Sequence, residues 1–135
     1  MTPHLIFIHK QSTSGRVRFL RFPHGVVGLN ALPEGCSVLE GDAPTVSAHP
    51  AAALQEASAY LGVPLTDMAC EAEFQAWIDS AGGPRQVLLA AFTSIDPPFD
   101  AAAAHDCKFI TMTEARGLPA TELVLMRKVY EYVLG

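Results

Sequence analysis

The feature that most constrains the fold is the pattern of the last third of the chain, residues 86–135. An uninterrupted apolar run covers residues 87–92, and a short alanine-rich segment follows a pair of prolines. An alternating segment at residues 108–114 leads into a long amphipathic segment. A short run that is apolar on both faces is typical of a buried strand, and a 3.6-residue apolar period is typical of a helix. The pattern therefore predicts strand, helix, strand, helix.

The connection between these two strands sets a prediction about topology. It has twelve residues, 96–107, which is about the shortest length that joins two parallel neighbours. Asp96 is a suitable N-cap, and Pro97 suits the first position of the intervening helix. We therefore predict a C-terminal parallel βαβ unit with adjacent strands.

The first 40 residues carry the signals of short antiparallel strands. An apolar run at residues 5–8 precedes a polar turn at residues 11–15, and residues 16–22 alternate imperfectly. This arrangement predicts an N-terminal antiparallel hairpin. Residues 26–29 and 36–39 are candidates for further short strands.

Three more helices are predicted outside the βαβ unit. The first begins at His49-Pro50 and ends at Gly62, and the last begins at Pro119. Another is predicted over residues 71–81, where Trp77 faces the core. We therefore expect a single globular domain over residues 1–135, of α/β or α+β class, with a mixed β-sheet and about four helices.

Composition excludes several classes of protein. The net charge of −5 argues against a nucleic-acid partner, because phosphate binding requires clustered Lys and Arg. The chain has no apolar run of the roughly 18 residues needed to span a bilayer and no signal-peptide pattern at its start, so we expect no membrane association. The three cysteines are widely spaced, which indicates a reducing, cytoplasmic location without disulfides.

Familiar catalytic and cofactor motifs are absent from the sequence. It contains no Gly-x-Gly-x-x-Gly, no P-loop, no Gly-x-Ser-x-Gly and no His-Glu-x-x-His. The histidines show no ligand spacing, and we predict neither a metal site nor a cofactor. Cys107 follows Asp106 at the C-terminal end of a predicted helix. The Asp106 carboxylate and the negative end of the helix dipole both raise the pKa of the thiol, so we assign Cys107 a structural role.

The predicted topology points to one place for a ligand. Sites in open α/β sheets form beyond the carboxyl ends of parallel strands. If the two C-terminal strands are parallel neighbours, this edge brings together hydroxyls, two carboxylates and a guanidinium: Thr93, Ser94 and Asp96 beside Thr113, Glu114 and Arg116. Such a group would bind an anion or carry out acid–base chemistry on a small polar substrate.

Two classes of function remain open at this level. The first is a small cytoplasmic domain that binds a small anionic or polar molecule, with catalysis undecided. The alternative is a protein-interaction module or a self-associating homo-oligomer without catalysis, supported by the apolar segment at residues 4–9 as an edge strand. A pocket with converging polar groups would favour the first class, and a large flat apolar surface the second.

Overall fold

A computed structural model describes residues 3–40 and 49–135, and the chain adopts a mixed α+β fold around one large sheet. Within these ranges the strands are β1 His4–Lys10, β2 Val17–Arg21, β3 Val27–Gly28, β4 Ser37–Val38, β5 Met68–Cys70, β6 Trp77–Ser80, β7 Gly83–Phe92 and β8 Lys108–Ile110. The α-helices are α1 Pro50–Leu61, α2 Phe99–Ala104 and α3 Ala120–Leu134, and short 3-10 turns occupy Leu65–Asp67 and Met112–Glu114. None of the helices described is long and apolar enough to cross a membrane.

Strand β1 lies at the centre of the sheet, whose order is β4-β6-β7-β1-β2-β8. One side of β1 pairs in parallel with β7, and the other pairs antiparallel with β3 and then with β2. The predicted N-terminal hairpin is thereby confirmed, with Ile8 opposite Phe19. The prediction that residues 4–9 form an edge strand is wrong, because both sides of β1 are paired and these residues are buried on both faces.

The parallel pair of the sheet is β1 with β7, so the predicted adjacency of β7 and β8 is wrong. Strands β1 and β2 lie between them, although β7 and β8 run in the same direction. β1 is apolar on both faces and occupies the central position beside β7, whereas the three-residue β8 pairs with β2 at the sheet edge. A connection of twelve residues is therefore long enough to join two neighbouring parallel strands, but it does not require the strands to be neighbours.

The helix predicted over residues 71–81 is also wrong. Residues 77–80 form β6, which pairs antiparallel with the start of β7, with Trp77 opposite Gln86 and Ser80 opposite Gly83. The glycines that were expected to end a helix instead form a hairpin turn, a role for which they are equally suited. Trp77 is buried as predicted, but from a strand. The described ranges accordingly hold three α-helices instead of about four.

The first and last helices follow the prediction and cover opposite faces of the sheet. The His49 side chain caps α1 by accepting from the Ala51 N–H, and Gly62 ends the helix with a φ of 72°. α1 and α2 pack on one face through small residues, Ala53, Ala57 and Ala102. α3 packs on the other face through Leu125, Met126 and Val129, whereas Tyr130 is exposed.

The α2 helix begins later than the sequence suggests. It starts at Phe99, after Pro98, and lacks a side-chain cap, so the predicted capping role of Asp96 is wrong. The physical reason is the second proline, which disfavours helical dihedral angles at Pro97. The following strand is shorter than predicted, because residues 112–114 form a 3-10 turn capped by Thr111 and Glu114.

Candidate functional site

The first half of the predicted carboxyl-end group lies in the segment after β7 and is engaged in local hydrogen bonds. The Thr93 hydroxyl donates to the Thr66 carbonyl over 3.4 Å, and the Ser94 hydroxyl donates to the Asp96 carbonyl over 2.7 Å. The backbone N–H of Thr93 donates to the Asp67 carbonyl. These bonds shape the loop that leads into α2.

The second half lies after β8 and forms its own capping structure. One Glu114 carboxylate oxygen accepts from the Thr111 N–H and from the Thr111 hydroxyl, each at 3.0 Å. The Thr113 hydroxyl lies 3.0 Å from the Thr111 hydroxyl. The hydrogen bond from the Thr111 N–H is the main cause that lowers the pKa of Glu114. Arg116 lies two residues further along the chain and is exposed.

The residues after β7 and those after β8 therefore do not lie at the ends of neighbouring strands, as the predicted site required. Two strands, β1 and β2, separate the carboxyl ends of β7 and β8. The Ser94 hydroxyl and the Glu114 carboxylate instead hydrogen-bond within their own loops. A ligand bound jointly by Asp96, Glu114 and Arg116 stays a prediction.

A buried histidine at the end of β1 contacts the loop that follows β7. The Nε2 atom of His9 lies 2.8 Å from the Ser94 carbonyl oxygen, and His9 is 1% exposed. The bond links the central strand to the loop after β7. His9 thus has a structural role at the carboxyl end of the parallel pair.

A groove of about 590 Å³ lies at this same end, on the α3 side of the sheet. Glu71, Glu73 and Glu131 line it together with Lys10 and Tyr132, whose hydroxyl donates to Glu71 over 3.3 Å. Burial, and then the Glu71 charge, raise the pKa of Tyr132. Three carboxylates facing one ammonium group would repel the anion that we expected at this edge.

The opposite, amino-terminal end of the parallel pair contains a smaller and more enclosed cavity of about 90 Å³. β7 begins at Gly83, and His4 at the start of β1 pairs with Val87. The cavity lies beside the start of β1, the chain that follows β3, and α1. The described residues that line it are Pro3, His4, Leu5, Gly28, Leu29, Asn30, Ala31, Ala53, Glu56 and Arg85.

Three ionisable residues from three elements meet at this cavity. His4 begins β1 and is 4% exposed, Arg85 is a half-buried residue of β7, and Glu56 is an exposed residue of α1. Burial, and secondarily the Arg85 charge, lower the pKa of His4 from its ordinary value of 6.5 to about 4. His4 is therefore a neutral imidazole at pH 7. Its Nε2 atom is buried and has no hydrogen-bond partner among the residues described.

Sequence reasoning missed all three of these residues. His4, Glu56 and Arg85 are far apart in the chain and form no local motif. Glu56 has the features of an ordinary exposed helix residue, and Arg85 lies just after residues 71–81, which were predicted to be helical and are not. The only available signal was a histidine at the start of an apolar strand, which by itself predicts nothing about a partner.

The three cysteines do not form a reactive site. All three are free thiols, and Cys107 is buried. Burial is the first cause that raises the pKa of each thiol, and neighbouring carboxylates add to it: Glu122 at Cys36, Glu71 at Cys70 and Asp106 at Cys107. A raised pKa keeps the thiols protonated and poorly nucleophilic at pH 7.

Comparison with known proteins identifies the fold but not a family. No family model matches the chain, and no curated protein matches it. The crystal structure of the C. elegans Ap4A hydrolase is similar, with a TM-score of 0.56 at 17% sequence identity. The similarity covers 96% of this chain and 94% of that chain. At this identity the comparison shows a shared fold over nearly the whole length of both proteins.

Proposed function

We propose that the protein binds a small anionic or polar molecule, and that the ligand occupies the amino-terminal cavity bounded by His4, Glu56 and Arg85. The observation that carries the proposal is the buried His4 Nε2 atom at the border of a polar cavity. A buried polar atom without a partner costs about 1–3 kcal/mol, and a bound polar group would remove that cost.

The size and charge of the cavity support the same proposal. A volume of about 90 Å³ corresponds to about three water molecules, so the cavity would accept a small ligand or one group of a larger one. Arg85 already makes another interaction in the structure, and its planar guanidinium carries five donors, so it is also suited to a carboxylate or phosphate. Polar groups that converge on an enclosed space are typical of small-molecule sites.

The proposal is tested by titrating the protein with acetate, inorganic phosphate and glycine, each followed by calorimetry and thermal shift. We expect at least one probe to bind and Arg85→Gln to weaken it about tenfold or more, because a charge-assisted hydrogen bond contributes about 1.5–3 kcal/mol. Arg116→Gln, at the opposite end of the sheet, is the matched control and should bind as the parent does. No binding by any probe, or an undiminished affinity in Arg85→Gln, would overturn the proposal.

Hydrolysis at the same cavity is the second candidate function. The structural neighbour is named an Ap4A hydrolase, and the Glu56 carboxylate is the lining group suited to accept a proton, because burial keeps the His4 imidazole neutral. Ap4A is therefore the first substrate to assay. Hydrolysis that is lost in Glu56→Gln but retained in Glu131→Gln would support catalysis here, and equal rates in both variants would exclude Glu56 from it.

A further inference from the structure

An apolar patch at the start of α2 is open to solvent, and we define it as Ile95, Phe99 and Phe109. Ile95, in the loop that leads into α2, is 87% exposed, and Phe99 is 52% exposed. The Phe99 and Phe109 rings lie 5.6 Å apart in a T-shaped contact, and Phe109 packs in the same way on the buried Phe92 at 5.8 Å. Phe99 is therefore an exposed ring that is held against the core through Phe109.

Charged side chains of both signs flank this patch. The Arg18 guanidinium carbon lies 6.0 Å from the centre of the Phe99 ring, and Asp100 follows Phe99 in α2 as an exposed residue. Arg18 donates one hydrogen bond of 3.3 Å to the Gln11 side chain, and its guanidinium has further N–H donors. Within residues 3–40 and 49–135 neither Arg18 nor Asp100 forms an ion pair. Both charges are therefore available to a partner.

The edge of the sheet beside the patch is poorly suited to pairing with another strand. β8 has three residues, and its first residue, Lys108, is exposed. A short edge strand and an exposed lysine are both features that prevent the addition of a further strand. A contact on this side of the molecule would therefore be made by side chains of the patch, and not by extension of the sheet.

We infer that the patch is a self-association surface, on which two copies of the chain pack Ile95 and Phe99 against each other around a two-fold axis. A surface with one sign of charge requires a partner of the opposite sign, whereas a surface with both signs can be complementary to a second copy of itself. With the axis near Phe99, Arg18 of each copy would face Asp100 of the other.

The Phe99 ring is the anchor of this contact. Aromatic side chains supply much of the binding energy of protein interfaces. The contacts of Phe99 with Phe109 and Arg18 already restrict the ring, so less conformational entropy is lost when the second copy covers it.

Sedimentation velocity on the full chain at concentrations from about 5 to about 500 µM tests the surface. We expect a dimer that grows with concentration, and we expect Phe99→Ser to weaken dimerisation about tenfold or more. Tyr130→Ser is the matched control, because it removes an exposed ring from α3 on the opposite face of the sheet, and it should dimerise as the parent does. Circular dichroism checks that each variant is folded.

Charge reversal tests the two-fold arrangement. Arg18→Glu and Asp100→Lys each place like charges opposite one another, so each variant alone should dimerise about tenfold or more weakly than the parent. In an equimolar mixture of the two variants every contact again joins opposite charges, and the mixed dimer should form about as readily as the parent dimer. Arg127→Glu, at an exposed position of α3, is the control for the change of charge and should dimerise as the parent does.

Two results would overturn the self-association surface: a parent protein that stays monomeric up to about 500 µM, and dimerisation that Phe99→Ser leaves unchanged. A mixture of the charge-reversed variants that recovers no dimer would contradict the two-fold pairing of Arg18 with Asp100.

Discussion

The two ends of β1 carry two buried histidines with different surroundings. At the carboxyl end, His9 Nε2 bonds to the Ser94 carbonyl and fastens the loop that leads to α2. At the amino end, His4 Nε2 borders a cavity and lacks a partner among the described residues. Each ring has one buried nitrogen without a partner among the described residues, His9 Nδ1 and His4 Nε2, and His4 is the one that borders the amino-terminal cavity.

The same contrast extends to the charged groups at the two ends. Carboxylates dominate the groove beside the carboxyl end, whereas the amino end combines Arg85 with Glu56. Of the polar groups predicted from sequence at the carboxyl end, the hydroxyls of Thr93 and Ser94 and the Glu114 carboxylate make local hydrogen bonds. The general expectation that ligands bind at the carboxyl ends of parallel strands therefore points, in this protein, to the end of the sheet that is less suited to an anion.

The largest effect that we predict is on stability at the carboxyl end. His9→Ala should lower the free energy of unfolding by about 3–4 kcal/mol, because it removes a buried ring and its bond to Ser94. His4→Ala should cost less, because His4 Nε2 lacks a partner among the described residues, whereas His9 Nε2 bonds to the Ser94 carbonyl. Urea unfolding of both variants at pH 7 provides the measurement. Equal losses would show that the two histidines do not differ in the way proposed.

The next prediction concerns the pH dependence of His4. Because its folded pKa of about 4 lies below the ordinary 6.5, the unfolded chain binds the proton more tightly. Its contribution to stability is therefore fully present above pH 6.5 and is lost as the pH falls towards 4. The shift sets an upper bound of about 3 kcal/mol.

Urea unfolding of the parent protein and His4→Gln across pH 7 to 4 isolates this contribution. Both proteins keep the other titrating groups, including Glu114, so those contributions cancel in the difference between the two curves. The parent should lose more stability than the variant over this window. Parallel curves would show that His4 titrates normally and is not held neutral by burial.

Several elements of the fold could be predicted because their signals are local. His49-Pro50 and Gly62 bound α1, Pro119 precedes α3, and the polar turn before Val17 joins the hairpin strands. Topology was predicted less well, because the choice of partner for β7 is a competition between distant segments. The apolar β1 occupies that position, and no property of residues 96–107 reveals it.

The candidate site was beyond sequence reasoning for a related reason. Its residues come from β1, β7, α1 and the chain after β3, and their proximity depends on strand register and helix packing, which no local sequence pattern reveals. The β6–β7 hairpin, which places Arg85 on a strand, was mistaken for a helix because Phe74, Trp77 and Ile78 also match a helical period. Because that hairpin was not predicted, the residues that lie near Arg85 could not be predicted either.

The smallest effect is predicted at the turn after β8. Glu114→Gln should lower Tm less than either histidine variant, because the exposed capping structure keeps a side-chain acceptor for the Thr111 N–H. The variant should bind acetate, phosphate and glycine as the parent does. A lost or weakened response to these probes would instead connect Glu114 with a ligand, as the sequence-based prediction had it.

The central claim is that the ligand site lies at the amino-terminal end of the parallel pair. The most direct test is a titration of ¹⁵N-labelled protein with glycine, acetate and phosphate in turn, followed by amide chemical shifts. We expect saturable shifts centred on His4, Leu29, Asn30 and Arg85, with little change at Thr93, Thr113 and Arg116. Shifts centred on the latter three residues would contradict it and place the site at the carboxyl ends of the strands.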